Sequence, residues 1–273
     1  MSNSLRSNKS FQAKVRDFYR ENKRDLIWRE YINPYWVVVS EIMLQQTQVS
    51  RVAEKFPHFL EVFPDFKSLA SAPLEKVLRE WQGMGYNRRG KYLREIAKII
   101  VEKYDSIVPR DPGVLEEFPG IGPATARSIV VYSYNIAEPF IETNVRRVYI
   151  HHFFSDKKEV SDRDIMPLVR ETLDKKNPRD WFYALMDYGT YLGRTVPNPN
   201  WKSKHYSKQS KFEGSNRQVR GAVLRYLLNE GSAERELLEK RLGFEKARLY
   251  NVLKQLTSEG IIAEKNGEYK VTT

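Results

Sequence analysis

The sequence predicts a mainly α-helical protein that ends in a small α+β unit of winged-helix type. Three observations carry this. Apolar residues recur at helical spacing through roughly the first 200 residues. A segment without periodicity, Thr195 to Gly214, then interrupts the pattern. Strand-like alternation is nearly missing until the last sixty or so residues, where Asn266-Gly267 stands between two short alternating runs.

The elements follow in order. Trp36 to Phe63 reads as two helices with a bend near Gln48, and Leu74 to Trp81 as a shorter one. Lys91 to Tyr104 is amphipathic, with Leu93, Ile96, Ala97, Ile100 and Val101 on one face. Pro123 to Tyr134, Asn144 to Phe154, Arg163 to Asp174 and Pro178 to Leu192 continue the helical pattern. The linker is basic: from Trp201 to Arg220 six Lys or Arg face one Glu. It reads either as a solvated connector or as a phosphate-contacting strap with Trp201, His205 and Tyr206 interleaved for stacking. Ser215 then caps a helix to about Leu228, Glu234 to Leu242 forms a second, Glu245 to Glu259 a third, and a hairpin closes the unit. In a winged helix the third helix usually enters the major groove, and Arg248, Asn251, Lys254 and Gln255 form its polar face. The alternative is a unit that only packs against the main body or another protein.

Composition narrows the function. Forty-six Lys and Arg against 35 Asp and Glu leave a formal charge of +11, which points to a polyanion, nucleic acid before membrane surface. No cysteine is present. Disulfides, cysteine-ligated zinc or iron–sulfur clusters and thiol catalysis are therefore excluded. No apolar run is long enough for a membrane span. The opening MSNSLRSNKS lacks the apolar stretch of a signal peptide, so a cytoplasmic, nucleoid-associated protein is expected. The four histidines show no ligand spacing, and His151-His152 reads as packing or surface. Arg88, Arg89 and Lys91 read either as a solvated face or as phosphate contacts. Asp187 reads as a helix residue paired with a nearby arginine.

Leu115 to Ala126, LEEFPGIGPATA, carries a DNA-binding signature. A helix ends near Phe118, Pro119-Gly120-Ile121-Gly122 turns, and a helix starts at about Pro123. The amides at that start face outward, where phosphate binds naturally. This helix-hairpin-helix anchors a backbone without reading sequence. Two further segments suit cleavage of an N-glycosidic bond, which needs an acid for the leaving base and an anion for the sugar cation. In SEIMLQQTQV, Glu41 lies among aliphatic residues that raise its proton affinity, and its glutamines offer groups that can enter a base stack. In FIETNVRRV, Glu142 lies near a helix N-terminus, which favours the ionised form.

SEIMLQQTQV, GMGYNRRGKYL, EFPGIGPATA and IETNVRRV, in this order, resemble the adenine DNA glycosylase family of the helix-hairpin-helix (endonuclease III) superfamily, over roughly Trp28 to Gly193. The resemblance implies two helical domains flanking the DNA: a six-helix barrel (28–135) carrying the hairpin, and a second domain from 1–27 with 136–194. The basic linker (195–214) and the winged helix (215–273) follow. It implies that Glu41 protonates adenine at N7, that Glu142 stabilises the sugar cation and that Asn144 supports this site. Gln45 and Gln46 match glutamines near the lesion, and Gly120 and Gly122 the phosphate-binding glycines. Further DNA contacts are expected at Gly83, Tyr86, Asn87, Arg88, Ile121, Ala124 and Thr125. No cofactor is required, although a structural Na⁺ or K⁺ at the carbonyls of Phe118 and Ile121 fits the family. The implied partner is double-stranded DNA with a mispaired or damaged base, bound by a monomer.

The sequence departs from the family at five places. Gly193 stands where the first of four cluster cysteines is usual, and Glu142 replaces an aspartate. Ala124 occupies the position of the lysine nucleophile of bifunctional relatives, so a monofunctional enzyme is expected. Asn87 replaces a tyrosine beside the opposite base, and the winged helix takes the place of a domain that reads 8-oxoguanine. The leading expectation is a base excision repair enzyme that removes adenine opposite G or 8-oxoG. A thymine or uracil glycosylase acting on G mismatches, and a non-catalytic DNA-binding or regulatory protein, are the alternatives.

Overall fold

The computed structural model describes residues 2–209 and 211–272, with side chains from Asn8 onward. In chain order the helices are α1 (Ser2–Asn22), α2 (Ile27–Glu30), α3 (Pro34–Leu44), α4 (Val49–Val62), α5 (Phe66–Ser71), α6 (Leu74–Glu80), α7 (Arg88–Lys103) and α8 (Pro112–Glu116). Then come α9 (Pro123–Tyr134), α10 (Thr143–Phe153), α11 (Asp162–Thr172), α12 (Pro178–Thr195) and a 3-10 turn over Pro199–Lys202. The last segment contains α13 (Asn216–Glu230), β1 (Ser232–Glu234), α14 (Arg235–Leu242), α15 (Lys246–Ser258), β2 (Ile262–Lys265) and β3 (Glu268–Val271). The chain is mainly helical, and its small sheet fits a winged-helix-like unit.

Local chemistry sets these boundaries. The α3–α4 break falls at Gln45–Gln48, where the bend near Gln48 is expected. Asp65 and Ser68 form a capping box on α5, and Asp111 caps α8. Pro123 and Pro178 occupy the first positions of α9 and α12, where a missing N–H costs nothing. Ser215 caps α13 through the Gln218 N–H, as its sequence position predicts. Asn266 and Gly267 both take positive φ, 54° and 83°, as a two-residue hairpin between β2 and β3 requires. The sheet has one strand more than the sequence predicts. Ser232 to Glu234, the last of which is expected to begin a helix, pair with β3 instead, giving the antiparallel order β1-β3-β2.

Two compact units are present, and both are discontinuous. The first comprises Met1–Val38, Pro109–Glu117 and Ile121–Lys208. In it α1 packs on α11 and α12, and α10 on α12. Phe140 stacks on Phe182 at 4.0 Å and Tyr132 on Tyr183 at 4.5 Å. Asp187 is buried and takes both Arg24 (2.6 Å) and Arg29 (3.0 Å). It thus has the arginine pairing expected of it, twice over. His152 bonds Tyr188 Oη at 2.9 Å, and burial, with His151 and Lys14 nearby, pushes its imidazole down to about 4.

The second unit comprises Val39–Val108, Phe118–Gly120 and Gln209–Thr273. In its N-terminal part α5 and α6 pack on α7, and Phe56, Phe59, Leu69, Trp81, Leu93 and Ile96 are buried. Gly90 of α7 is needed for this packing, because a Cβ there would stand 2.9 Å from Trp81 Cγ. The C-terminal segment shares a core with α6: Leu74 and Leu78 join Val219, Val223, Leu227, Leu253, Ile262 and Val271 in one buried cluster. Arg79 Nη2 donates to Leu228 O at 2.5 Å across the same seam.

Candidate functional site

In the second unit the candidate residues converge on the turn after α3 and on the loop before α7. Glu41 lies half-buried on α3 between buried Ser40 and Ile42. The helix stops after Leu44, and Gln46 takes φ +55°. Arg89 holds this corner. It is only 8% exposed and donates to the carbonyls of Ile42 (2.9 Å), Met43 (2.9 Å) and Gln45 (2.5 Å). It also donates to Thr47 Oγ1 (2.8 Å) and to the carbonyls of Met84 (3.0 Å) and Gly85 (3.1 Å). A planar guanidinium with five N–H donors suits such a hub. Both expectations for Arg89, solvated face and phosphate contact, are therefore corrected. The residue is interior, and it ties the end of the Glu41 helix to the glycine loop.

Gln45 Nε2 donates to Gly120 O at 3.2 Å. Gly120 has φ +75°, and a Cβ there would fall 2.5 Å from Tyr92 Cδ2, so only glycine fits. Arg51 Nη1 donates to Gly83 O at 3.2 Å. Tyr86 also takes positive φ, +47°. The guanidinium groups of Arg89 and Arg217 lie 5.5 and 5.4 Å from its ring centroid. Gln209 Nε2 (2.5 Å) and Arg217 Nη1 (3.2 Å) donate to its hydroxyl. Sequence reasoning missed Gln209 and Arg217 as partners of this loop, since nothing local marks them.

A cavity of about 1120 Å³ opens here, lined by Gln45, Gln46, Gly83, Tyr86, Asn87, Arg88 and Gly120 on one side and by Arg217, Arg220 and Arg225 of α13 on the other. Arg88 and Arg220 share Glu259, and Lys91 Nζ donates to the Glu259 carbonyl. Of the winged-helix candidates, Arg248 is engaged in bonds to Asn216 Oδ1 and Gly214 O, whereas Asn251 and Lys254 are exposed.

The first unit contains Glu142, Asn144, Ile121, Gly122, Ala124 and Thr125. Glu142 is the N-cap of α10 and accepts from the backbone N–H of Asn144 (2.6 Å) and Val145 (2.8 Å). Both bonds fall on Oε1, so one carboxylate oxygen is fixed to the helix start. Burial pushes the Glu142 carboxyl up from its ordinary value. Those two N–H groups and the nearby Arg146 and Arg147 pull in the other direction without cancelling the rise. Asn144 Oδ1 accepts from Arg147 Nη1 at 2.7 Å, and the same nitrogen donates to Gly189 O at 2.7 Å. Gly122 is the exposed N-cap of α9, and a Cβ there would meet nothing within 4 Å. Its missing side chain leaves the helix start open. Ile121 is buried, while Ala124 and Thr125 are partly buried in the first turn of α9.

Residues 39–173 match the HhH-GPD superfamily base excision DNA repair protein family. The chain is 35% identical over 227 residues to the adenine DNA glycosylase of Mycolicibacterium smegmatis, covering 76% of each protein. The chain belongs to this superfamily, in its adenine DNA glycosylase family. The Mycobacterium tuberculosis adenine DNA glycosylase is 32% identical over 228 residues, covering 76% of this chain and 75% of that protein. Among solved structures, a thermostable thymine-DNA glycosylase matches with a TM-score of 0.66 at 21% identity, covering 72% of this chain and 92% of that one. A non-covalent endonuclease III–DNA complex matches with a TM-score of 0.58 at 16% identity, covering 70% and 89%. These two establish the fold.

The chain has no cysteine, so it supplies no thiolate for a cluster. Among the described residues no group of three or more His, Cys, Asp or Glu is placed to hold a metal ion. No helix among them is long and apolar enough to cross a membrane.

Proposed function

We propose that this protein is a monofunctional adenine DNA glycosylase of base excision repair, acting on adenine opposite G or 8-oxoG in duplex DNA. The Glu142 cap carries the reading: one oxygen is anchored on two backbone N–H groups, while Oε2 has no hydrogen-bond donor among the described residues. An anion so fixed needs no reorganisation when a cation forms beside it. Named relatives with adenine DNA glycosylase activity at 35% and 32% identity support the substrate.

Glu41 gives its proton to N7 of the flipped base. The C1′–N9 bond breaks with its electron pair leaving on adenine, and the sugar cation forms against Glu142. Water adds at C1′ and loses a proton, leaving an abasic site and free adenine. The open α9 start at Gly122 takes a phosphate. Ala124 offers no amine, so no Schiff base forms there and the strand stays intact.

The test is a panel of labelled duplexes with A:8-oxoG, A:G, T:G and U:G, incubated in EDTA and then treated with alkali. Cleavage confined to the A-containing pairs is expected. Cleavage of T:G or U:G moves the enzyme to the other base class, and binding without cleavage of any duplex removes the catalytic reading. Glu41→Gln is expected to abolish the alkali-labile product with duplex affinity retained; an unchanged rate removes Glu41 from the mechanism. Because Glu142 acts ionised and burial raises its carboxyl above the ordinary value of 4.5, the single-turnover rate is expected to begin falling already above that pH on acidification.

A further inference from the structure

The segment after α12 is held far more firmly than a connector needs to be. Val160 N donates to Lys202 O at 2.8 Å and Lys204 N to Val160 O at 3.0 Å, pinning the strap beside α11. Lys202 Nζ donates to the carbonyls of Phe154 and Ser155 at the end of α10. At the other end of α10, Asn200 is buried at 3% exposure, and its Nδ2 donates to Thr143 O at 3.0 Å. Thr143 is the residue next to Glu142. Asn198 Oδ1 caps the 3-10 turn and also accepts from Arg147 Nε at 3.4 Å. Arg147 in turn holds Asn144 Oδ1 and Gly189 O.

Two glycines make room for this network. A Cβ on Gly193 would stand 2.8 Å from Arg147 Nη1, and one on Gly189 would stand 2.6 Å from Asn144 O. Asn200 leaves its own Oδ1 buried without a partner. For stability alone that is a poor choice of side chain, because a burial-compatible apolar residue carries no such cost. The one contact the amide makes is to the first turn of α10.

We infer that Asn200 is a positioning residue for Glu142: the strap around Asn198–Ser203 clamps the first turn of α10, so that the capping carboxylate keeps one fixed orientation. The inference rests on the proposed role of Glu142. It assigns this basic stretch an internal, geometric role in place of a solvated connector.

The experiment uses the full chain and a duplex with a single A:8-oxoG pair. Asn200→Asp keeps the shape and replaces the donor to Thr143 O with an acceptor. The expected result is a fall in the single-turnover excision rate of about tenfold or more, with duplex Kd unchanged within about twofold. In a Glu142→Gln background the same substitution is expected to cause no further loss, because both changes act on one carboxylate. A purely structural Asn200 would lower Tm in both backgrounds yet leave the excision rate of the folded protein alone. That outcome overturns the inference, as does a full additional loss in the double variant. If Asn200→Asp does not fold, Gly193→Ala, which displaces only the Arg147 guanidinium, is read in the same way. Failure of the Glu142 reading is distinct: Glu142→Gln alone would then excise at the normal rate.

Discussion

Arg89→Ala is expected to destabilise the protein by about 3–5 kcal/mol, seen as a lower midpoint of urea unfolding. The substitution removes the donor from five carbonyls and one hydroxyl at once. A buried acceptor left unpaired costs about 1–3 kcal/mol, and water re-entering the emptied space recovers part of the sum. The loss is a large share of the roughly 5–15 kcal/mol that holds a typical domain folded. Burial brings the guanidinium down to about 10, still well above neutrality, so the group acts as a cation throughout. Arg89→Lys is expected to recover little, since three donors on one nitrogen cannot span acceptors on both segments. Excision should fall as well, because two of the carbonyls that Arg89 holds, those of Ile42 and Met43, belong to the helix bearing Glu41. A loss below about 1 kcal/mol for the alanine variant would mean that the corner is held by something else.

The second large effect concerns Glu259, and it depends on pH. Its carboxylate takes Arg220 in two parallel bonds of 3.0 and 2.5 Å and takes Arg88 beside them. Glu259→Gln leaves Arg88 and Arg220 clustered without their anion. The expected cost near neutral pH is about 2–3 kcal/mol, below the full value for a buried pair because Arg88 is half exposed. Burial alone would raise the carboxyl, but Arg88 and Arg220 outweigh it and hold it below the ordinary 4.5. A depressed carboxylate contributes stability that is fully present above its unfolded-state pKa and lost as pH falls through the folded-state value. The difference in urea midpoint between wild type and Glu259→Gln should therefore be largest near neutrality and close below pH 4.5. A difference that stays constant into acid would show that packing, and not charge, is the contribution of Glu259.

The parts legible in the sequence are those set by neighbours in the chain. Pro123 after Gly122 marks the start of α9, Ser215 that of α13, and Asn266-Gly267 the hairpin, because each acts on backbone within a few residues. Glu142 is read correctly as lying at a helix start for the same reason. Arg89 was not legible. In RRGK it resembles any basic helix face, and its interior role depends on distant carbonyls, those of Ile42, Met43 and Gln45. β1 was missed because its three residues become a strand only through pairing with β3, which lies beyond two helices. Gly120 is recognisable as a turn glycine, but the Tyr92 ring that excludes any Cβ there is not. Asn200 looks like one more polar residue in a turn-rich stretch; its amide matters only once α10 lies beside it.

The shared core of Leu74 and Leu78 with Val219 to Val271 also has a consequence for biogenesis. Synthesis proceeds from the N-terminus at roughly 5–20 residues per second, so these two leucines emerge on the order of ten seconds before the residues that will cover them. The first unit has all its segments synthesised once Lys208 is added, while the second still lacks everything from Gln209 onward. Nascent chains stalled in that interval carry an uncovered apolar seam, the kind of transiently exposed surface that is prone to aggregation. Recombinant truncations ending before Val219 should behave like such stalled chains, accumulating as insoluble protein instead of as a smaller soluble one.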